Sequence, residues 1–295
     1  MTAPEEGRGR RLARWLYPRH RAQLWLLLAA PLLWIGVVYL GSLVILLLNA
    51  FWAKDPFTNR VTPFDWTLKA VIDIVTHPVY AIVAGRTLLI AVLVTITDAL
   101  LAFPIAYYMA RIASPRRRGA LVVAVLLPLW AAYLVKVFAW RTILQGNGFL
   151  AWVLSPLGIP GPGLTELPNA WLVLSYLWLP YMILPIYAGL ERIPQSYFEA
   201  SADLGAHGGL TFRRIVLPLA LPALAAGSIF TFSLTLGDYI TPQLVSNTQF
   251  IGNVIYESQG VANNVPFAAA FAVVPVLIMG AYLFIARRLG AFDAL

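Results

Sequence analysis

Two carboxylates lie in otherwise apolar parts of the sequence, where a charge is costly and usually has a function. Asp98 lies halfway along an apolar run, in a stripe of small and hydroxyl side chains at helical spacing that also contains Ala91, Thr95 and Ala102. Asp98 could bind a cation on a route through a membrane. It could instead hydrogen-bond a neighbouring helix, because small-residue interfaces favour such bonds. The sequence leaves both interpretations open.

A second polar stripe ends in the other carboxylate, Asp238. Ser228, Thr231, Thr235 and Asp238 recur at steps of three, four and three residues, which predicts one face of a helix. Hydroxyls that end in a carboxylate would suit a polar pathway for an amine. The same stripe could instead hold helices together, with Lys136 neutralising Asp238. Both interpretations are kept.

Aromatic side chains in the apolar runs could offer cation–π surfaces to an amine. They are Trp130, Tyr133, Tyr176, Trp178, Tyr181 and Tyr239. Anchoring at a membrane interface explains such aromatic residues equally well. Tyr239 follows Asp238 directly. The candidate substrate-pathway residues are therefore Asp98, Ser228, Thr231, Thr235, Asp238 and Tyr239.

Several other chemistries lack the residues that they need. The chain contains no cysteine, which excludes disulfides, thiol catalysis and cysteine-ligated metals. His20, His77 and His207 are far apart and have no metal-ligand spacing. A membrane enzyme would need a paired cluster of His, Asp and Glu, and the apolar runs contain none. A P-loop ends in Gly-Lys-Ser/Thr, and none of the lysines follows a glycine. No catalytic or metal site is predicted.

The elements that position these residues are apolar segments. The 295 residues are 60% hydrophobic and 12% charged, which is typical of a polytopic membrane protein. A spanning helix needs about 20 apolar residues. We predict an all-α polytopic membrane protein with about six transmembrane helices, at 24–48, 87–110, 119–140, 170–190, 219–241 and 265–286. The first run is too long for a signal peptide and predicts an uncleaved anchor. Prolines inside the spans predict kinks at Pro104, Pro128, Pro180 and Pro185.

The positions of Lys and Arg predict the orientation, because these residues are enriched on the cytoplasmic side. Of the 21 Lys and Arg, 15 lie in the N-terminal tail, the second-to-third connection, the fourth-to-fifth connection and the C-terminal end. This predicts that both termini are cytoplasmic. It divides the chain into a basic tail (1–23), a membrane domain (24–286) and a cytoplasmic C-terminus (287–295). Since orientation in lipid explains the net charge of +8, no nucleic-acid partner is predicted.

The cytoplasmic connection at 191–218 has the pattern of a short capped helix. Pro194 ends the preceding helix, and Ser196 and Glu199 have the spacing of a capping box. Gly205 is suited to the left-handed conformation that follows the end of a helix. Glu199 could therefore be only a cap, or it could also contact a partner.

The same connection has a face that another protein could approach closely. One side of the first helix contains Tyr197, Ala200, Ser201 and Leu204. A second helical piece is predicted from Thr211, with Phe212 and Ile215 on one side. Pro218 would lie in the first turn of the fifth span, where a missing N–H costs little. The result would be an L-shaped projection suited to a groove in a partner.

This connection resembles the EAA loop of permease subunits in binding-protein-dependent ABC importers. The sequence Glu199-Ala-Ser, then Gly205, Ile215-Val-Leu-Pro218 and Pro222 keeps the order of that motif. Ser201 departs from the alanine that is more frequent there, but it is nearly as small. The resemblance covers about 85–290. Within it, the segments similar to spermidine/putrescine permeases are Gly237-Asp-Tyr-Ile-Thr-Pro-Gln243, Phe250-Ile-Gly-Asn-Val254 and Pro266-Phe-Ala268.

The resemblance implies the fold and the partners of the chain. It implies a type I ABC importer permease in a bacterial inner membrane, with a second permease subunit, an extracytoplasmic solute-binding protein and separate ATPase subunits. ATP and Mg would bind to the ATPase, and this chain would bind no cofactor. The residues implied to dock on the ATPase are Glu199, Ala200, Ser201, Leu204, Gly205, Phe212, Ile215, Leu217 and Pro218.

Two alternatives remain for the transported solute and the energy source. Permeases for iron, thiamine or phosphonates share parts of the pattern, so the solute could be another small molecule. An ion-coupled secondary transporter is the other alternative. Such transporters often contain inverted repeats, and the sequence shows no repeated halves.

Overall fold

The computed structural model describes residues 20–55, 58, 60–158, 161, 163, 164 and 167–288. These residues are mostly helical, as the all-α prediction expects. Most of the predicted basic tail (1–23) and residues 289–295 of the predicted C-terminal segment lie outside the described residues. The first half of the described chain contains α1 (His20–Leu33), α2 (Gly41–Asn49), β1 (Trp52–Lys54), β2 (Val61–Trp66), α3 (Lys69–Thr76), α4 (Pro78–Tyr107), α5 (Pro115–Trp130) and α6 (Tyr133–Leu144).

The second half contains α7 (Phe149–Leu154), α8 (Leu167–Glu191), α9 (Gln195–Asp203), α10 (Gly208–Thr211), α11 (Leu217–Gly237), α12 (Ile240–Val245), α13 (Ile251–Gly260) and α14 (Val265–Arg288). π-helical turns at Trp34–Leu40, Tyr108–Ile112 and Phe212–Val216 continue or join these helices. Strands β1 and β2 form one antiparallel hairpin. Within the described part of the chain, this hairpin is the regular structure that the all-α prediction did not include.

Among the described residues, five helical segments are long and apolar enough to cross a membrane, or up to six if one bent pair is a single span. The five segments are Leu27–Asn49, Pro78–Ile112, Leu167–Glu191, Gly208–Gly237 and Val265–Arg288. They match five of the six predicted spans. The second begins nine residues earlier than predicted, because Pro78 starts the helix as its first residue.

The third predicted span, 119–140, is not one straight helix. Helix α5 (Pro115–Trp130) and the helical segment Tyr133–Leu157, which begins with α6, meet at an angle of 89° next to Ala131, whose backbone is extended. Pro128 has no N–H to donate within the last turn of α5, which weakens the helix just before the break. The hydroxyl of Tyr133, the first residue of α6, donates to the carboxylate of Asp238. This hydrogen bond fixes the position at which α6 starts after the break.

The fifth predicted span is displaced toward the N-terminus. It extends from Gly208 to Gly237 instead of 219–241, so the second helical piece of the 191–218 loop is continuous with it. The N–H of Leu217 bonds to the carbonyl of Phe212, five residues earlier, in the π-helical turn. This wider turn lets the helix continue past Pro218, which donates no hydrogen bond.

The core of the molecule is the contact between α4, α8 and α11. Helices α8 and α11 approach very closely at Gly189, where an added Cβ would lie 2.3 Å from the Cβ of Ala223. Glycine is therefore required there for the two backbones to meet. By contrast, α2 has no buried residue within this chain.

The end of this core nearest to the 191–218 loop is a group of buried side chains that we call the loop-side cluster. It combines residues of α4, α8 and α11 with the chain that joins them. Its members are Ala102, Ala106, Met109, Ala110, Met182, Ile183, Ile186, Leu190, Ile193, Val216 and Ala220.

Candidate functional site

The short helix of the 191–218 loop does not begin with the predicted capping box. Helix α9 follows Pro194, whose backbone is extended, and no side chain bonds its first N–H groups. The N–H of Tyr197 bonds instead to the carbonyl of Pro194 at 3.2 Å. Because the helix starts at Gln195, Ser196 already has helical backbone and cannot cap it. The predicted cap is wrong, and the exposed Glu199 has no capping role.

The predicted end of α9 is confirmed. Gly205 has a φ of +74°, in the left-handed region that glycine favours. The N–H of Ala206 bonds to the carbonyl of Ser201 at 3.0 Å, and the N–H of Gly205 bonds to that of Ala202 at 2.8 Å. These two bonds form a Schellman motif, which ends the helix at a defined angle.

A hydrogen bond ties the two legs of the loop together. The hydroxyls of Ser201 and Thr211 are 2.7 Å apart, and Ser201 is buried. Ser201 therefore faces the other leg of the loop and not an outside partner. The predicted small face becomes one wall of a cleft of about 380 Å³. The cleft is lined by Tyr197, Ala200, Ser201, Leu204, Ala206, Leu210, Thr211, Arg214 and Ile215.

The other residues of the predicted docking set differ in exposure. Leu204 is 88% exposed, and Glu199, Ala200 and Leu217 also lie on the surface. Phe212 is also 36% exposed, but the edge of its ring packs against those of Phe103 and Tyr107 in α4, at 5.6 and 5.9 Å between centroids. Phe212 therefore anchors the loop on α4.

Three residues at the base of the loop were missed by the sequence analysis. Arg111 and Arg118 were counted only as charges that orient the membrane helices, and Phe198 was not considered. Arg118 donates to the carbonyls of Met109 and Ala110 at 3.1 Å each and forms an ion pair with Glu191 at 3.0 Å. The sequence does contain a signal for Phe198: it is a large apolar residue on the face of α9 opposite Ala200 and Leu204, which predicts that this face packs against the protein.

Asp238 does not belong to the helical stripe that was predicted for it. Helix α11 ends at Gly237, and Asp238 has extended backbone. Its Oδ1 accepts hydrogen bonds from the N–H groups of Ile240 and Thr241 at 2.9 and 3.2 Å. Its Oδ2 accepts from the hydroxyls of Tyr133 and Thr241 at 2.6 and 2.7 Å. Asp238 thus starts α12 and joins it to α6.

The predicted neutralisation of Asp238 by Lys136 is wrong. Lys136 and Asp238 form no ion pair: within the described residues, the oppositely charged groups closer than 4.0 Å are those of Arg118 and Glu191. Neighbours of Asp238 stabilise its carboxylate with four donors instead, and this number of donors suits a buried carboxylate.

The hydroxyls of the α11 stripe bond within the protein. Ser228 donates to the carbonyl of Ala225 at 2.7 Å, and Thr235 donates to that of Thr231 at 2.8 Å. Thr231 donates to the carbonyl of Ser228, whose hydroxyl accepts a bond from Tyr282 of α14 at 2.7 Å. The described contacts of this stripe favour the packing interpretation over the pathway one.

Asp98 has the opposite surroundings. It is completely buried in α4, and among the described residues neither carboxylate oxygen has a hydrogen-bond partner. The hydrogen bond to a neighbouring helix, one of its two predicted interpretations, is absent from the described residues. The hydroxyl of Thr95 is not available to it, since it donates to the carbonyl of Ala91 at 2.7 Å.

The candidate aromatic residues fall into separate groups. Trp178 stacks on Tyr133 with ring centroids 5.9 Å apart. Tyr239 stacks on Tyr256 at 4.7 Å. Trp130 is 83% exposed, as expected for a residue that anchors the chain in lipid. The structure therefore does not bring the predicted aromatic residues into one cage. No group of three or more His, Asp or Glu that could hold a metal occurs in the part of the chain that the structure describes.

Comparison with known proteins assigns this architecture to a family. The family model described as "Binding-protein-dependent transport system inner membrane component" matches residues 7–291. The chain belongs to this family. It is therefore an inner-membrane permease subunit of an ABC importer, a subunit without catalytic activity, and the ATPase is a separate subunit.

Two curated relatives are similar over most of their length. The "Inner membrane ABC transporter permease protein YdcU" of Escherichia coli is 49% identical over 287 residues, which are 92% of this chain and 91% of that protein. The "Spermidine/putrescine transport system permease protein PotB" of Haemophilus influenzae is 30% identical over 217 residues, which are 72% of this chain and 76% of that protein.

Solved structures confirm the predicted fold class, the type I ABC importer permease fold. A chain of a bacterial alginate ABC transporter, crystallised with an alginate pentasaccharide-bound periplasmic protein, superposes with a TM-score of 0.74 at 17% identity, covering 96% of this chain and 98% of that one. A chain of the MetNI methionine ABC transporter in an inward-facing conformation superposes at 0.57 and 16% identity, covering 73% and 95%.

Proposed function

We propose that this permease subunit belongs to an ATP-driven importer that passes a polyamine, spermidine or putrescine, into the cytoplasm. The observation that carries the solute class is the similarity to the spermidine/putrescine permease over 72% of this chain. The solute would arrive on an extracytoplasmic binding protein and cross between this chain and a second permease subunit.

The 191–218 loop is the proposed contact with the ATPase. The support is geometric. The two legs of the loop, joined by the bond between Ser201 and Thr211, enclose a mostly apolar cleft at the surface of the loop. Docking residues on this surface are Glu199, Ala200, Leu204, Gly205, Ile215, Leu217 and Pro218. The buried Ser201 joins the two legs, and Phe212 packs the second leg against α4. ATP and Mg bind to the ATPase, and this chain binds no cofactor.

Asp98 is the proposed polar residue of the solute route. A carboxylate that is buried in an apolar region without a partner is costly, so such residues in membrane helices usually mark functional sites. Asp238, Ser228, Thr231 and Thr235 have internal partners, and we assign them to packing. An amine would match the charge of Asp98 in the state of the permease that opens the route.

The test is to purify the chain together with the proteins encoded beside it and to reconstitute the complex in vesicles. We expect an ATPase to copurify, and spermidine or putrescine with the binding protein to stimulate ATP hydrolysis. An uncharged solute of similar size serves as the control. A complex that is stimulated by a different class of solute would contradict the polyamine assignment, and a chain that captures no ATPase would contradict the docking role of the loop.

A further inference from the structure

Arg111 lies at the point where α4 ends next to α8. It belongs to the π-helical turn Tyr108–Ile112 that continues α4. Its Nη2 donates to the carbonyl of Leu190 and to that of Ile193, the latter at 2.6 Å. The last carbonyls of a helix lack intrahelical partners and attract cations. The guanidinium of one helix therefore holds the end of the other.

The same guanidinium contacts the 191–218 loop. Its Cζ lies 4.6 Å from the centre of the Phe198 ring, in a cation–π arrangement. Phe198 projects from α9 and packs against the loop-side cluster. Arg111 thus connects the end of α4, from which it projects, to the end of α8 and to α9.

A second contact joins the other leg of the loop to α4. Phe212 packs between Phe103 and Tyr107, four residues apart on one face of α4. The bond between Ser201 and Thr211 then connects the two legs. Arg118 reinforces the base through Met109, Ala110 and Glu191. Both legs of the loop are therefore fastened to the same helix.

We propose that Arg111 is a positioning residue for energy coupling, which makes the 191–218 loop and the loop-side half of α4 one rigid body. This inference rests on the proposed docking of the loop on an ATPase. A push on α9 by the ATPase is then transmitted to α4, which carries Asp98 about 20 Å from Arg111 at a rise of 1.5 Å per residue. Without the clamp, the loop would move while α4 stayed in place.

The chemistry of the clamp requires arginine. A planar guanidinium can donate to two carbonyls in its plane while an aromatic ring lies against its face. A lysine ammonium has the same charge but cannot make all three contacts in this geometry. The side chain of Arg117, in the same connection, is exposed and provides a matched control.

The absence of cysteine makes a direct distance measurement possible. Spin labels would be attached to Ala202→Cys on α9 and Leu100→Cys on α4, both exposed positions. In the complex with the ATPase, we expect one narrow distance distribution that is the same without nucleotide and with ATP. Arg111→Met should broaden it, whereas Arg117→Met should not.

Transport supplies the readout that a purely structural role would not change. We expect Arg111→Met to capture the ATPase and keep basal ATP hydrolysis, but to lower solute uptake per ATP hydrolysed by at least about tenfold, because it removes two charged hydrogen bonds and one such bond already corresponds to about tenfold. Arg111→Lys keeps the orienting charge for membrane insertion and should be uncoupled in the same way.

Three results would overturn the clamp: normal coupling in Arg111→Lys, the same loss in Arg117→Met, or a label distance that shifts with nucleotide in the chain with Arg111 intact. If the unaltered chain captures no ATPase, the proposed function fails instead. The comparison of label distances with and without Arg111→Met in the isolated chain still decides whether Arg111 holds α9.

Discussion

At the scale of single residues, Asp98 and Asp238 have the same side chain in opposite surroundings. Both are buried, yet Asp238 accepts four hydrogen bonds and Asp98 accepts none from the described residues. Each bond to a charged group contributes about 1.5–3 kcal/mol, whereas an unpaired buried charge lowers stability. The contacts of Asp238 therefore indicate a structural role, whereas no described contact gives Asp98 one, as our proposal for the solute route requires.

Replacement by asparagine should distinguish these roles. Asp238→Asn turns an acceptor into a donor that faces other donors, so we expect the free energy of unfolding to fall by about 2 kcal/mol. Asp98→Asn removes an ionisable group without changing the shape, so the stability should be equal or higher, while polyamine uptake falls. Thermal unfolding of the purified proteins and uptake in vesicles measure the two quantities.

Each variant is the control of the other. Uptake that stays normal in Asp98→Asn would remove this residue from the solute route. A normal unfolding temperature in Asp238→Asn would show that its four hydrogen bonds contribute little to the junction of α6, α11 and α12.

At the scale of elements, the shape of the 191–218 loop depends on how α9 ends. The positive φ of Gly205 places the chain in the direction that lets Thr211 reach Ser201. The cleft between the two legs exists because of this turn. The start of α9 matters less, since no side chain caps it.

Gly205→Val should disrupt the turn while the membrane helices remain intact. An added Cβ at Gly205 would meet no atom within 4 Å, so the effect is backbone strain alone. A β-branched residue in the left-handed region costs about 1–2 kcal/mol, which corresponds to roughly tenfold weaker capture of the ATPase. Copurification and solute-stimulated ATP hydrolysis measure the change.

Gly208→Val is the matched control, because an added Cβ there also meets no atom and the backbone has no positive φ. We expect it to capture the ATPase normally. Equal capture by both variants would mean that the Schellman turn is not needed for docking.

At the scale of the whole molecule, the basic residues predict which end of the helical core faces the cytoplasm. The 191–218 loop and the connection that contains Arg111 and Arg118 lie at one end, around the loop-side cluster. The hairpin of β1 and β2 contacts the segment before α14 at the other end, where Lys54 donates to the carbonyl of Ala262. The positive-inside rule then places the hairpin outside.

Cysteine labelling should confirm this orientation, since the natural chain contains no cysteine. Ala202→Cys and Gln259→Cys introduce single thiols at exposed positions of opposite ends. With a membrane-impermeant maleimide and intact spheroplasts, we expect Gln259→Cys to react and Ala202→Cys to react only after lysis. The reverse pattern would contradict the predicted topology.

The sequence by itself determined the class of the molecule, the approximate positions of five spans and the left-handed end of α9. These features depend on local chemistry: long apolar runs require lipid, and a glycine just after the end of a helix favours positive φ. Apolar length predicts five of the spans, and the residues of the 191–218 loop resemble the motif of the family.

Only the tertiary structure decided which polar residues are already satisfied. Helical periodicity put Asp238 on the α11 stripe, but its partner Tyr133 is about a hundred residues away, and no local pattern shows that the two side chains meet. Likewise, Arg111 and Arg117 are both basic residues of the same connection in the sequence. Only the packing of α8 and α9 beside Arg111 distinguishes it from Arg117, which is exposed. A hydrogen-bond partner supplied by another helix is a property of the fold, because the spacing of residues along one helix does not record what lies against it.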